Sequence, residues 1–84
     1  MQNNSKDNLT KNFIERFNQL LSDYTGTYTE LAHALGLKSK SNITKYANGS
    51  LNISLTMLSK IADFFEVSPV WLIGFTDDKN YKFK

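Results

Sequence analysis

Residues 27–49 read TYTELAHALGLKSKSNITKYANG, and this stretch predicts two short helices joined by a turn. Thr27 and Glu30 form a capping box, in which a hydroxyl and a carboxylate satisfy free amides at the start of a helix. Gly36 ends that helix, and Ser39 caps a second one that runs to about Ala47. Such a pair of helices is typical of a helix-turn-helix unit.

The second helix of this pair has one apolar and one polar side. At 100° per residue, the apolar side chains share the side that is expected to pack: Ile43, Tyr46 and Ala47. The opposite side collects Lys40, Ser41, Thr44, Lys45 and Asn48. These side chains offer hydrogen-bond donors and hydroxyls without a carboxylate, which suits base edges and phosphates. The helical wheel fits the solvated face of an ordinary helical bundle equally well.

The rest of the sequence predicts three more helices and no strand. Apolar residues recur at helical spacing from Leu9 to Leu21, so a first helix covers about residues 9–22. Ser54 caps a helix with an apolar stripe, and Ser68-Pro69 opens a short last helix. Five amphipathic helices that are each marginal alone must be stabilised by packing together, so the fold class is all-α.

The domain boundaries follow from where these apolar patterns begin and end. Residues 9–76 form the predicted domain, between a mobile N-terminal tail of residues 1–8 and a C-terminal tail of residues 77–84. The final Tyr81-Lys82-Phe83-Lys84 alternates aromatic and basic residues. It suits a DNA-contacting arm, a weak edge strand or the start of a second domain, and we expect disorder there.

The distribution of charge is more informative than its sum of +2. Residues 31–62 contain four lysines and no acid, a net charge of +4. Residues 1–30 and 63–84 each contain three cations and four acids, a net charge of −1. A central segment without acids is the expected property of a surface that meets a polyanion, although chance also produces such gaps.

The composition excludes several classes of site. The chain has no cysteine and one histidine, so a thiol nucleophile, a Cys-ligated metal and a histidine cluster are excluded. His33 reads as an exposed surface residue, and Asp77-Asp78 as a solvated pair rather than an acid–base dyad. The longest apolar run, residues 70–73, is far shorter than the ~20 residues of a membrane span. We therefore expect a cytoplasmic protein that is not an enzyme, needs no cofactor or metal and has no membrane partner.

Several segments resemble those of one family at matching spacing. They are residues 27–32, Leu35-Gly36, residues 43–49, residues 54–62, Val67-Ser68 and residues 71–74. On these segments, residues 10–76 resemble the phage repressor and Cro-type helix-turn-helix proteins, also called the XRE or lambda-repressor-like family. The resemblance implies a compact five-helix lambda-repressor-like domain whose third helix enters the major groove of DNA.

The resemblance also assigns roles to individual residues. It implies that Lys40, Ser41, Thr44 and Lys45 read bases, since they fall at the base-reading positions of the third helix. Tyr28 stands where the family usually has a glutamine that holds a phosphate, and Asn48 matches a common backbone contact. Lys38 and Ser39 in the turn complete the implied DNA-binding set, and amides at the starts of helices two and three add phosphate contacts.

Three positions depart from the family pattern. Ile43 follows Gly36 by seven positions where six is usual, so the register of residues 38–41 stays open. The loop at residues 50–52 reads Ser-Leu-Asn, where relatives often place a basic residue against phosphate. Ala47 replaces a common glutamate and so removes an acid near the DNA.

The function that the resemblance implies is a sequence-specific, double-stranded DNA-binding transcriptional regulator. We expect a repressor that binds a palindromic operator as a homodimer. Met57 and Phe64 lie off the main stripe of the fourth helix, and such an exposed apolar pair, or helix five with Phe75, would suit a subunit interface. The alternative is a protein-interaction module of the same fold, a regulator or antitoxin-like domain that binds a protein partner.

Overall fold

The computed structural model of the chain describes residues 5–82, with side chains from Asn8 onward. Within this range the chain forms helices and connecting turns without a strand. The helices are α1 (Ser5–Asp23), α2 (Tyr28–Ala34), α3 (Ser41–Asn48), α4 (Leu55–Phe65) and α5 (Pro69–Leu72). The prediction of an all-α fold with five helices is confirmed.

The first helix begins four residues earlier than the apolar pattern predicts. Ser5–Asn8, expected to belong to a mobile tail, form the first turn of α1. Apolar periodicity gives no signal for a polar turn, and no glycine or proline there prevents the helix from extending. The rest of that predicted tail, residues 1–4, lies outside the described residues. Neither this 19-residue helix nor any other among the described residues is long and apolar enough to cross a membrane.

The predicted helix starts are present with their hydrogen bonds. The Thr27 hydroxyl accepts from the Glu30 amide at 3.0 Å, and the Glu30 carboxylate accepts from the Thr27 amide at 3.1 Å. The Ser54 hydroxyl accepts from the Met57 amide at the start of α4, the Ser68 hydroxyl accepts from the Val70 amide at the start of α5, and Pro69 occupies the first turn of α5. The side chains at these positions therefore determine where the helices begin.

All five helices contribute to one apolar core. α1 packs against α3 and α5, α2 packs against α3, and α4 packs against α5. The side chains with less than 2% exposure are Phe17, Leu31, Leu35, Ile43, Ile61 and Leu72. Among the described residues, no buried side-chain nitrogen or oxygen lacks a hydrogen-bond partner.

One side chain of α4 departs from its expected exposure. Met57 is buried in the core, whereas Phe64 is exposed and packs edge-on against Tyr24 and Phe65. The two residues therefore do not form the exposed apolar pair that the sequence suggested. A single stripe on a helical wheel underestimates the buried arc of α4, since neighbouring elements cover the helix beyond that stripe.

The segment after α5 contacts the rest of the domain through Lys79. The Ser68 amide donates to the Lys79 carbonyl at 2.6 Å, and Lys79 Nζ lies 5.2 Å from the centre of the Trp71 ring. We call residues 76–82 the C-terminal strap. The predicted boundary between residues 76 and 77 falls within this strap, and apolar periodicity gives no signal for a contact such as that of Lys79 with Trp71. Residues 83–84 of the predicted tail lie outside the described residues.

Candidate nucleic-acid interface

The turn between α2 and α3 is fixed by backbone hydrogen bonds and by one apolar anchor. The Gly36 amide donates to the His33 carbonyl at 3.0 Å, and the left-handed conformation of Gly36, with φ of +76°, turns the next amide back toward α2. The Leu37 amide then donates to the Ala32 carbonyl at 2.8 Å, and its side chain packs against the core. α2 therefore ends in a defined geometry that directs the chain into α3.

The backbone before α3 shows how the lengthened turn leads into the helix. α3 begins at Ser41, and Lys40 lies between this residue and the predicted cap residue Ser39. Lys40 precedes the helix with φ of −65° and ψ of −20° and makes no side-chain cap bond. Ser39 supplies the cap instead, since its hydroxyl accepts from the Ser41 amide at 3.1 Å and its carbonyl accepts from the Asn42 amide at 3.2 Å. Hydrogen bonds between Ser39 and Ser41 close a turn around Lys40. This turn accommodates the additional length between Gly36 and Ile43.

The two sides of α3 divide as the helical wheel predicts. Ile43 is fully buried, Tyr46 is 8% exposed and Ala47 packs against the core. The predicted site residues are all exposed: Lys38, Ser39, Lys40, Ser41, Thr44, Lys45 and Asn48. The side chains expected to read bases therefore lie on the solvent side of the turn and of α3.

Positive charge gathers around this turn without anionic partners. Lys38, Lys40 and Lys45 are exposed, and in the part of the chain whose side chains are described none of them forms an ion pair. Lys60 of α4 joins them, because its Nζ lies 3.5 Å from where a side-chain carbon on Gly36 would stand. Reasoning along the chain missed this neighbour, although its place in the acid-free segment was a signal. All four lysines of that segment thus lie on or beside one helix-turn-helix unit.

A family model described as "Helix-turn-helix" matches residues 24–72, which is more than half of the chain. The chain belongs to the XRE-type helix-turn-helix family. The match runs from the residue after α1 to the end of α5 and includes α2, the turn and α3. No curated protein and no solved structure matched the chain.

Membership of this family indicates the general function of the chain. XRE-type helix-turn-helix proteins are DNA-binding regulators of transcription and are typically not enzymes, and this chain is a DNA-binding transcription regulator of that type. Its residues 41–48 are the third helix of the described chain, which is the helix that enters the major groove in this class of domain.

The start of α2 presents a second set of polar groups. Tyr28 is its first residue, and its phenol is exposed and has no hydrogen-bond partner among the described residues. The amides of Tyr28 and Thr29 are likewise unbonded in that part of the chain. The Glu30 carboxylate of the capping box lies at the same helix end, so it offsets part of the positive potential there.

Amides at the start of α3 are expected from the family resemblance to contact phosphate, but several of these amides have partners within the protein. Its first three amides already donate within the turn, from Ser41 to the Ser39 hydroxyl, from Asn42 to the Ser39 carbonyl and from Ile43 to the Lys40 carbonyl. Internal capping by the residues of the turn removes these donors. Amide contacts to phosphate therefore remain available at α2, whereas the amides of Ser41, Asn42 and Ile43 are already used.

The end of α3 is held from behind by α1. Asn18 donates its Nδ2 to the Ala47 carbonyl at 2.9 Å, and Gly49 ends the helix with φ of +83° close to Ile14. The Asn48 carboxamide oxygen accepts from the Ser50 amide at 2.8 Å, which leaves its NH₂ group for a ligand. The support from Asn18 was not predicted, because an asparagine on an amphipathic helix has no distinguishing sequence signal.

Proposed function

We propose that this helix-turn-helix protein is a repressor that binds a palindromic operator in double-stranded DNA as a homodimer. The observation that carries the proposal is the exposed side of α3, where Ser41, Thr44 and Lys45 stand together without an acid or an ion-pair partner. An unpaired lysine and exposed hydroxyls on a helix that is packed from behind have the chemistry and the rigidity needed for base recognition.

The roles of the side chains follow from their positions relative to α3. Ser41, Thr44 and Lys45 on the helix, with Lys40 immediately before it, face the base edges. Tyr28, Lys38, Ser39 and Asn48 flank this surface and donate to phosphates, which sets the register of the protein on the duplex. The Thr44 methyl adds an apolar contact that suits the methyl group of thymine.

Two considerations support a homodimer. A single domain of this size reads only ~4–6 base pairs, so two copies on one face of the duplex are needed to select an operator. The surface also offers apolar area for association. Leu55 is 85% exposed at the edge of an apolar groove of about 250 Å³, whose lining includes Leu9, Ile53 and Ile73. A protruding apolar side chain beside an apolar groove is compatible with a self-complementary two-fold contact.

A salt titration with random-sequence duplex DNA tests the electrostatic part of the proposal. Binding by unpaired lysines releases condensed counterions, so the logarithm of the binding constant is expected to fall linearly as the logarithm of salt rises, with a slope of about −0.9 for each phosphate neutralised. A flat response between low and physiological salt would contradict the proposal. A tightly co-purifying protein, with no DNA affinity at low salt, would favour the alternative of a protein-interaction module.

A further inference from the structure

A hydrogen bond between two hydroxyl groups joins the turn to the first residue of α3. The Oγ atoms of Ser39 and Ser41 are 2.7 Å apart, and Ser39 Oγ also accepts from the Ser41 amide at 3.1 Å. Two bonds therefore connect one residue of the turn to one residue on the exposed side of α3. Both side chains are exposed at the surface that the proposed function assigns to DNA.

Capping of α3 does not require the bond between the hydroxyls. The Ser41 amide already donates to Ser39 Oγ, and the Asn42 amide donates to the Ser39 carbonyl. These two bonds satisfy the amides at the start of the helix, which is the task of a cap. The bond between the two Oγ atoms acts on the Ser41 side chain and not on the helix backbone.

The bond restricts what the Ser41 hydroxyl offers to a base. A serine hydroxyl has one donor hydrogen and two acceptor lone pairs, and it rotates to suit its partner. A freely rotating hydroxyl accepts from or donates to many base edges and therefore discriminates little among them. The Ser41 hydroxyl uses its donor hydrogen or one of its lone pairs in the bond to Ser39. Because this bond stops the hydroxyl from rotating, its remaining donor or acceptor positions point in fixed directions.

We propose that Ser39 is a positioning residue that makes Ser41 selective for one base pair, through the bond between their hydroxyls. This inference rests on the proposed function, because it assumes that α3 reads bases. Ser39 acts here through Ser41, in addition to its own place beside the phosphates.

The test uses the duplex most enriched from a random pool of double-stranded oligonucleotides, and every single base-pair variant of it. The Kd of each duplex is measured for the wild type, S39A, S39T, S41A and the double variant S39A/S41A. We expect S41A to remove a preference of about fivefold at one base pair, the size of one neutral hydrogen bond. S39A is expected to remove the preference at the same base pair, whereas S39T is expected to retain it. The double variant is expected to show the same Kd ratios at that base pair as S41A.

The contrary outcomes are distinct. If S39A weakens binding to all duplexes by the same factor and keeps the preference at the Ser41 base pair, Ser39 acts only as a cap or a phosphate contact and the inference is overturned. It is also overturned if S41A changes no base preference. Both results leave the proposed function intact, whereas a wild type without any sequence preference contradicts that function itself. S39G, which retains an acceptable cap residue, replaces S39A if circular dichroism shows that the latter is unfolded.

Discussion

The molecule uses cations in two different ways, and the two regions can be compared directly. Around Trp71, the Arg16 guanidinium carbon lies 4.7 Å and Lys79 Nζ 5.2 Å from the ring centre. Arg16 also donates to the Thr76 carbonyl and to Asp77. At the helix-turn-helix unit, Lys38, Lys40 and Lys45 are exposed and have no acidic partner among the described side chains.

The difference shows which cations stabilise the fold and which are available to a ligand. A cation that lies over a buried ring and donates to the backbone has its interactions within the domain. An exposed lysine without a partner contributes little to folding and keeps its charge for an external anion. We therefore expect substitutions near Trp71 to change stability and substitutions on α3 to change DNA binding, with little overlap.

The largest expected effect is on stability, from removal of the ring itself. Trp71 is 3% exposed, so Trp71→Ala leaves a cavity in the core and is expected to lower the free energy of unfolding by about 3–5 kcal/mol. Urea denaturation followed by circular dichroism measures the change. Phe75→Ala is the matched control, since Phe75 is 69% exposed and its truncation is expected to change stability by less than about 0.5 kcal/mol. Equal losses in the two variants would contradict the burial of Trp71 in the core.

The next largest effect separates the two regions by binding. Lys45→Ala is expected to weaken binding to the preferred duplex by about 1–3 kcal/mol, and to relax base choice at one position. Its free energy of unfolding should stay within about 0.5 kcal/mol of the wild type, because Lys45 is exposed and unpaired. Fluorescence anisotropy with labelled duplex and urea denaturation measure the two quantities.

Lys79→Ala is the control for this comparison, because it removes the same charge near Trp71. Its DNA affinity is expected to match the wild type, and its stability to fall by about 0.5–1 kcal/mol from the lost contact with the ring. If both variants lost DNA affinity equally, net charge rather than position would govern binding. The division between the two regions would then be wrong.

A smaller effect distinguishes the ring contact of Arg16 from its ion pair. Arg16→Ala is expected to lower the free energy of unfolding by about 1–2 kcal/mol, since the side chain is 18% exposed and packs on Trp71. Asp77 is fully exposed and forms an ion pair with Arg16 at 3.3 Å, and Asp77→Asn removes its charge. We expect no measurable change in its urea midpoint, and a loss as large as that of Arg16→Ala would show that the ion pair dominates.

The smallest effect concerns Lys60 beside the turn. Lys60 lies next to Gly36 and not on α3. Lys60→Gln is therefore expected to weaken binding to all duplexes equally, by less than about 1 kcal/mol. The slope of affinity against salt should become shallower without any change in base preference. A change in preference at one base pair would instead place Lys60 among the residues that read sequence.

Features encoded by neighbouring residues could be predicted from the sequence, and features that depend on distant contacts could not. The capping box of Thr27 and Glu30 and the two sides of α3 follow from spacing within one turn or one helix. The approach of Lys60 to Gly36, the burial of Met57 and the support of α3 by Asn18 depend on how helices pack. The acid-free segment was a signal for Lys60, but no local pattern predicts where Lys60, Met57 or Asn18 lies relative to the other helices.

The start of α3 shows the same limit within a single short segment. Spacing showed that the turn is one residue longer than is usual in the family, and a serine suggested a cap. Whether Ser39 or Lys40 precedes the helix depends on which backbone amides the Ser39 hydroxyl can reach, and that is a matter of three-dimensional geometry. The candidate site residues could thus be named from sequence, but the bonds among them could not.

Selection of bound sequences from a pool of random duplex DNA tests the central claim most directly. If the unpaired side of α3 reads bases in a homodimer, the enriched sequences are expected to share an inverted repeat with half-site centres about 10 base pairs apart, one helical turn of the duplex. Enrichment of a single unrepeated half-site would contradict the dimer. Recovery of a pool indistinguishable from the input would contradict sequence-specific binding by this surface.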